Sequence, residues 1–360
     1  MKKTLLLMVG IVHAIGGKAQ TVLKKFNLPT SLAEISGMLS YKNGWLVHGD
    51  GGSPAALFAI DSLGKITDTF SVNQSNNDWE ELTENKNYYF IGDFGNNNGT
   101  RKDLKILMLK KDSMGRTNRA GIIRFSYKDQ SDFSSNTFSD FDCEAMAAVG
   151  DSLWLFSKSK STGICRIYAV AAAEGNYVLS HTDTLQVPFW ATGAAVQNNQ
   201  LLLLGYGPNW DLSLLPWVYT ARIVNGRIDH KTGRSYLLNI PGSKQCEGVC
   251  FGTGGRMFLS SEFYRGDSAA LFELQLPTGS IKKKQKQEAV FHPNPVITET
   301  VYRGDDGPAE YSLHSLNGAE LQRGMLAKNQ TLDMRGYEAG VYAIKLQSAS
   351  GVQFRLLVKQ

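Results

Sequence analysis

Seven carboxylates recur along this chain at a spacing that would bring them together. Glu34 precedes Asp50 by 16 residues, Glu80 precedes Asp93 by 13 and Glu247 precedes Glu262 by 15. In two further copies Glu144 precedes Lys158, and Thr192 precedes Tyr206, each by 14. The first residue of each pair heads a short apolar run, and the second ends the apolar or aromatic run beyond the next turn. Glu80-Glu81-Leu82-Thr83 with Tyr88-Tyr89-Phe90-Ile91-Gly92-Asp93 is one copy. Glu247-Gly248-Val249-Cys250 with Met257-Phe258-Leu259-Ser260-Ser261-Glu262 is another. A hairpin of that length returns the chain to its start, so its head and tail lie side by side. Five such hairpins arranged radially gather seven carboxylates and Lys158 around one axis. Carboxylates a few ångströms apart raise one another's pKa, and water, a basic partner or a metal must offset the repulsion. Oxygen-only donors in a roomy ring suit Ca²⁺ rather than zinc. Glu34, Asp50, Glu80, Asp93, Glu144, Glu247 and Glu262 are therefore the candidate metal ligands. A hydrated polar channel without an ion is the plainer reading of the same residues.

The loops that follow the second strands share that face. Arg101, Lys158, Tyr206, Trp210, Tyr264 and Arg265 lie on them or at their edges, and aromatics beside amides and cations suit a polar ligand, anionic or saccharide. Asp50-Gly51-Gly52 and Asp93-Phe94-Gly95-Asn96-Asn97-Asn98 add flexible backbone and amide oxygens, without the spacing of an EF-hand loop. His48, two residues before Asp50, is the one candidate general base, although such a histidine is more often a rim residue with no chemical role. The chain has no Gly-x-Ser-x-Gly elbow and no phosphate-binding glycine loop.

Stepping from these residues to the elements that must carry them, the heads at 34, 80, 144, 192 and 247 are 46, 64, 48 and 55 apart. That is the period of a four-stranded propeller blade. Third strands are expected at Leu57–Ile60, Leu104–Met108, Cys165–Ala169, Val218–Ala221 and Ala270–Leu274. Fourth strands are expected at Ile66–Val72, Ile122–Tyr127, Tyr177–Val187 and Arg234–Ile240. The fifth copy has no fourth strand of its own. Val22–Leu28, a spare strand before the first copy, would supply it and close the ring, removing two exposed edges. The expectation is an all-β chain: a five-bladed β-propeller over 20–276, or six-bladed if 109–143 hides another copy.

The two ends carry an address. Met1-Lys2-Lys3, the apolar Thr4–Ile15 and the small residues Gly17 and Ala19 read as a signal peptide over 1–19. Leu276-Pro277-Thr278-Gly279-Ser280, followed by a lysine-rich run, reads as an exposed basic linker over 277–287. The alternating runs of 288–360, broken at Asn317-Gly318 and Ala339-Gly340, describe a small antiparallel, immunoglobulin-like β-sandwich. The net charge of +5 belongs to these ends. Residues 20–276 carry 24 basic and 25 acidic side chains, which disfavours a nucleic-acid surface. No apolar run beyond the N-terminus is long enough for a transmembrane segment. Four cysteines in an exported chain are too few for a disulfide scaffold, and Cys246 and Cys250, about 13 Å apart along an extended strand, cannot bridge.

Phe291-His292-Pro293-Asn294-Pro295, Leu316-Asn317-Gly318, Leu332-Asp333-Met334, Tyr337-Glu338-Ala339-Gly340-Val341-Tyr342 and the closing Leu357-Val358-Lys359 resemble the C-terminal sorting domain (type A) of type IX secretion cargo. The motifs keep that family's order over about 288–360, with His292 where an aromatic residue is usual. The resemblance implies the type IX machinery and a sorting-domain protease as partners. It also implies a destination outside the cell, secreted or on the outer-membrane surface of a Gram-negative bacterium. More loosely, Asn77-Asp78-Trp79-Glu80-Glu81 with Ile91-Gly92-Asp93-Phe94-Gly95-Asn96-Asn97 and Arg101 are similar to secreted phytase-like and lactonase-like propellers. In those, acidic residues at the channel mouth bind Ca²⁺, which positions a phosphate or ester; Thr192 departs from that pattern. Two functions follow as expectations: a monomeric module binding an extracellular ligand, or a Ca²⁺-dependent hydrolase. Intact-mass analysis of protein exported by a bacterium with the type IX route should find a chain beginning at Gln20 and lacking 288–360. Deletion of 288–360 should leave the protein in the periplasm, and unimpaired release of the deleted form would refute the assignment.

Overall fold

The computed structural model describes residues 21–360 apart from 118, 161–162, 209–212, 243, 277–289, 305–306, 316–318 and 349–350. The expected signal peptide, the basic linker and Trp210 lie outside the described residues. The all-β class holds.

Every copy of the sequence pattern forms an antiparallel sheet. The first sheet is β2 (Ile35–Tyr41), β3 (Gly44–Gly49), β4 (Ala56–Ile60) and β5 (Ile66–Ser71). The second is β6 (Trp79–Glu84), β7 (Tyr88–Asp93), β8 (Lys105–Lys110) and β9 (Gly121–Tyr127). The third is β10 (Cys143–Val149), β11 (Ser152–Ser157), β12 (Ile164–Ala171) and β14 (His181–Gln186). Between β12 and β14, β13 (Gly175–Leu179) leaves its own sheet and pairs parallel with β9, making the second sheet five-stranded. The single fourth strand expected over Tyr177–Val187 is therefore two strands serving two sheets. The fourth sheet is β15 (Trp190–Gln197), β16 (Gln200–Pro208), β17 (Leu214–Val224) and β18 (Arg227–Leu237). The fifth is β19 (Cys246–Phe251), β20 (Met257–Ser261), β21 (Ala270–Gln275) and β1 (Thr21–Asn27), with β1 antiparallel to β21 from Thr21↔Gln275 to Asn27↔Ala270. Among the described residues, 109–143 contributes only β9, the last two residues of β8 and the first of β10 as strand.

The first strands of the sheets touch in cyclic order: β2 beside β6, β6 beside β10, β10 beside β15, β15 beside β19, and β19 beside β2 again. Each neighbouring pair encloses its own apolar core. Leu201-Leu202-Leu203-Leu204 shows why the strands are continuously apolar rather than alternating. Leu201 and Leu203 point into the core shared with the third sheet, and Leu202 and Leu204 into the core shared with the fifth. A strand buried on both faces has no polar face to show.

Around the ring, side chains of the first strands bond to neighbouring backbones. Ser36 Oγ donates to Glu80 O, Ala148 N–H to Thr83 Oγ1 at 3.1 Å, and Thr192 Oγ1 to Cys246 O at 2.5 Å. At the closing seam the strands approach so closely that a Cβ on Gly248 would lie 2.4 Å from Ser36 O and 2.6 Å from Ser260 Oγ. Only glycine fits there.

Strands β22 (Val290–His292), β23 (Glu299–Arg303), β24 (Ala309–Ser315), β25 (Glu320–Leu326), β26 (Thr331–Asp333), β27 (Gly340–Ser348) and β28 (Gly351–Lys359) form two sheets, β22-β23-β26 and β25-β24-β27-β28. Both contribute to one separate core that includes Phe291, Tyr302, Leu313, Met334 and Ile344. Asn294 ties the Pro-Asn-Pro segment to the last strand: its Nδ2 donates to Leu356 O at 2.8 Å, and its Oδ1 accepts from Val358 N at 2.8 Å. No helix among the described residues is long and apolar enough to cross a membrane.

Gly248→Ala should cost about 1–3 kcal/mol, the usual range for overpacking a close contact. Urea denaturation followed by tryptophan fluorescence measures it; an unchanged midpoint would mean that the seam between the fifth and first sheets is looser than described.

Candidate functional site

Each first hairpin carries a β-bulge near its start, and the bulge fixes which residues face the axis. The register shifts fall between Ile35 and Met38, Trp79 and Glu81, Cys143 and Ala145, Ala191 and Gly193, and Cys246 and Val249. The bulged positions are thus led by Ser36, Glu80, Glu144, Thr192 and Glu247. The residues one past the partner of the position before each bulge are Asp50, Phe94, Lys158, Tyr206 and Glu262; of these, Tyr206 still pairs, with Trp190. In this register the head-to-tail spacing is 14 residues in four sheets and 15 in the fifth. The two outlying spacings read from the sequence, 16 and 13, came from two misplaced residues.

Glu34 is the first. It precedes the strand and is exposed, and its carbonyl accepts the Asp50 N–H at 2.8 Å. Ser36 takes the position it was expected to hold. Asp93 is the second. It pairs with Trp79, one residue short of the facing position, so its side chain points to the other face of the pleat. There it is fully buried, with Arg101 Nη2 2.8 Å from Oδ1 and Lys105 Nζ 2.8 Å from Oδ2. Arg101 also bonds to Gly95 O and Asp103, which makes it the partner of Asp93 rather than a ligand-facing cation.

The remaining predicted carboxylates come together. Asp50, Glu80, Glu144, Glu247 and Glu262 line one cavity of about 300 Å³, with Lys158, Tyr206, Asn97, Lys160, Trp190, Leu214 and Gln245. Tyr264 and Arg265 are not in this lining, and Arg265 lies over the Tyr264 ring at 5.4 Å. His48 is also outside it. The ring is fully buried, edge-on to Trp79 at 5.5 Å, with Nδ1 3.1 Å from Gly49 O and no partner for Nε2. Burial pushes its pKa down to about 4. The expected base is a neutral histidine inside the wall between the first two sheets.

Lys158 and Glu144 form a buried ion pair, and Lys158 also donates to Tyr206 Oη at 3.0 Å with its ammonium over the ring. Glu144 holds Lys158 charged despite its burial. Lys160 is bound to Asn97 Oδ1 at 2.7 Å and Asp142 Oδ2 at 3.4 Å. The opposite wall is short of cations. Burial, then the charge of Asp50, push Asp78 up to about 6. Burial and the neighbouring Glu144 raise Glu80 well above the usual carboxylate range. Burial lifts Glu247 to about 7, with Lys158 opposing. Burial and Glu247 lift Glu262 to about 10. One oxygen, Glu247 Oε2, is buried without a hydrogen-bond partner.

Asp78 was not among the residues picked from the sequence. Carboxylate oxygens of Asp50, Asp78 and Glu80 all lie within 4.8 Å of one another, across the junction of the first two sheets. Gly95 makes the room: a Cβ there would lie 2.0 Å from Glu80 Oε1 and 2.5 Å from Asp78 Oδ2. Asn76 orders both loops, donating to Asp50 O at 2.9 Å and accepting the Trp79 N–H at 3.0 Å. Such a set of hard oxygen donors can hold a divalent cation. The signal for Asp78 was present in the chain. Asp78 and Asp142 each stand two residues before a head glutamate, and Glu34 stands two before Ser36. Glu81 was also missed. Its buried carboxyl reaches across the ring to accept the Ala194 N–H at 2.6 Å and the Leu82 N–H at 2.9 Å.

No protein-family model matches the chain, and no curated protein matches its sequence. Solved structures with a similar arrangement include an exo-β-1,3-galactanase from Phanerochaete chrysosporium, 10% identical over 94% of this chain and 98% of that one, with a TM-score of 0.45. A gluconolactonase from Xanthomonas campestris is 14% identical over 68% and 73%, with a TM-score of 0.36. A glucose dehydrogenase is 9% identical over 71% and 99%, with a TM-score of 0.40.

Because folding raises these carboxyls above their free values, the folded chain binds protons that the unfolded chain releases. Their contribution to stability is complete below about pH 4 and is lost as pH rises through 6 and 7 for Asp78 and Glu247. In metal-free buffer the melting temperature should fall between pH 5 and 8. Glu80→Gln, which removes one of the crowded acids, should raise the melting temperature at pH 8 relative to the parent chain. A melting temperature that climbs over this range would contradict the crowding.

Proposed function

We propose that this chain is an extracellular binding module: a five-bladed β-propeller, exported by the type IX route through an immunoglobulin-like sorting domain, that holds Ca²⁺ in the acidic pocket at one end of its axis and takes its ligand there. The observation that carries the reading is the Asp50–Asp78–Glu80 cluster, whose oxygens stand within 4.8 Å of one another. It opens on the same cavity as Glu247, whose Oε2 has no partner. A divalent cation offsets the repulsion that crowds these carboxylates, and oxygen-only ligands favour Ca²⁺ or Mg²⁺ over softer metals. The blade count is supported by five sheets whose first strands touch cyclically, and by β1 completing the last sheet. The export route is supported by the order of the C-terminal motifs and the basic, apolar N-terminus.

The alternative, a Ca²⁺-dependent hydrolase of phosphate esters or lactones, draws on Glu247. Burial lifts its carboxyl to about 7 in the metal-free cavity, the range in which general acid–base groups work at neutral pH.

Calorimetric titration of the full chain with CaCl₂ at pH 7.5 should give one site per chain. Its Kd should fall near the 10⁻⁴–10⁻³ M typical of extracellular modules. Asp78→Asn should weaken it at least tenfold, and Gly95→Ala should do the same by filling the space between Asp78 and Glu80. Absence of heat and of any calcium-induced rise in melting temperature would end the reading. Calcium-dependent turnover of an aryl phosphate or a lactone would transfer it to the hydrolase.

A further inference from the structure

The two halves of the pocket differ once its charges are paired off. Glu144 is matched by Lys158, and Asp142 by Lys160. On the reading above, the cation neutralises most of the charge of Asp50, Asp78 and Glu80. What remains is Glu247, Glu262, Gln245 and Tyr206, with the half-buried Trp190 beside them. Gln245 Nε2 donates to Glu262 Oε2 at 3.2 Å, and Trp190 meets Tyr206 edge-on at 6.2 Å. Tyr206 already carries the Lys158 ammonium on its ring, so Trp190 is the aromatic surface left for a ligand.

The buried, unpartnered Glu247 Oε2 calls for a hydrogen-bond donor from the ligand. Glu262 faces the same cavity, its Oε2 accepting from Gln245 Nε2 at 3.2 Å. An anionic group here would face Glu247 with no free cation among the lining residues. A second cation would meet the Lys158 ammonium and the bound metal. A neutral ring with many hydroxyls meets neither obstacle. Its hydroxyls bond to Glu247 and Glu262, while its C–H face covers Trp190.

We infer that this half of the pocket, bounded by Trp190, Tyr206, Gln245, Glu247 and Glu262, is a binding site for a neutral saccharide. The inference rests on the cation reading for its charge balance but is tested separately. The full chain, labelled and applied in 1 mM CaCl₂ to an array of neutral, amino and anionic (sulfated, phosphorylated and uronic) glycans, should bind neutral members. Trp190→Ala should weaken the strongest signal at least tenfold while leaving the CaCl₂ titration unchanged. Trp190→Phe, which keeps a flat apolar face, should restore most of the binding and serves if the alanine variant does not fold. Strongest binding to anionic or amino glycans, no binding to any neutral glycan, or binding indifferent to Trp190→Ala would overturn the inference. Any of these results with an intact calcium titration would leave the cation reading standing. Neutral-glycan binding that persists in chelator would support the saccharide site while separating it from the metal.

Discussion

Each of the five sheets in residues 21–276 is apolar on both faces, and that condition governs the rest of the molecule. A two-faced sheet needs a covering on each side, and stacking in a row would leave the outer faces of the first and last sheets wet. Cyclic packing removes both at once, and five separate inter-sheet cores take the place of one central core. The ring then needs a seam. Here the N-terminal strand β1 pairs with β21, so the fifth sheet is built from both ends of the segment and the seam is held by backbone hydrogen bonds. A second lock comes from β13, which leaves the third sheet to pair with β9 of the second.

Radial packing forces the first strands close together, and this is where polar chemistry becomes unavoidable. Near the axis there is little room at certain positions: a Cβ on Gly37, Gly193 or Gly248 would meet the neighbouring first strand, and the hydroxyls of Ser36, Thr83 and Thr192 bond to neighbouring backbones. At the end of the axis, where the bulges lie, longer side chains line a cavity. The carboxyls there are close because the strands are close. Their raised pKa values follow from burial first and mutual repulsion second. Lys158 answers that repulsion on one side of the pocket. On the other side only water, a proton or a cation can. The cation and saccharide readings are two consequences of this uneven neutralisation.

The hairpin repeat was legible because its spacing is nearly constant, and so was the spare strand that completes the last sheet. Five of the seven proposed ligands, with Lys158 and Tyr206, do line one cavity. The errors share one cause. Side chains alternate along a strand, so a register error of one residue sends a side chain to the opposite face. Asp93 ends its apolar run as Asp50 does, yet it stands one place early, and its buried partners are Arg101 and Lys105. Glu34 stands two places before the bulge and is exposed. Sequence pattern alone gave no way to locate a bulge. His48 looked accessible because it is near Asp50 in the chain, but it turns inward against Trp79.

The sequence by itself determined the all-β class, the repeating hairpin and its period, because apolar alternation and turn chemistry are local. It also determined that acidic residues recur at the hairpin ends. Only the tertiary structure decided which of those acids share a cavity, that Asp78 joins Asp50 and Glu80 while Asp93 does not, and that one oxygen of Glu247, Oε2, is buried without a hydrogen-bond partner. Those outcomes depend on bulges, on the closeness of neighbouring sheets and on which charges happen to be neutralised across a junction. Such distances are set between segments far apart in the chain, and no local pattern encodes them.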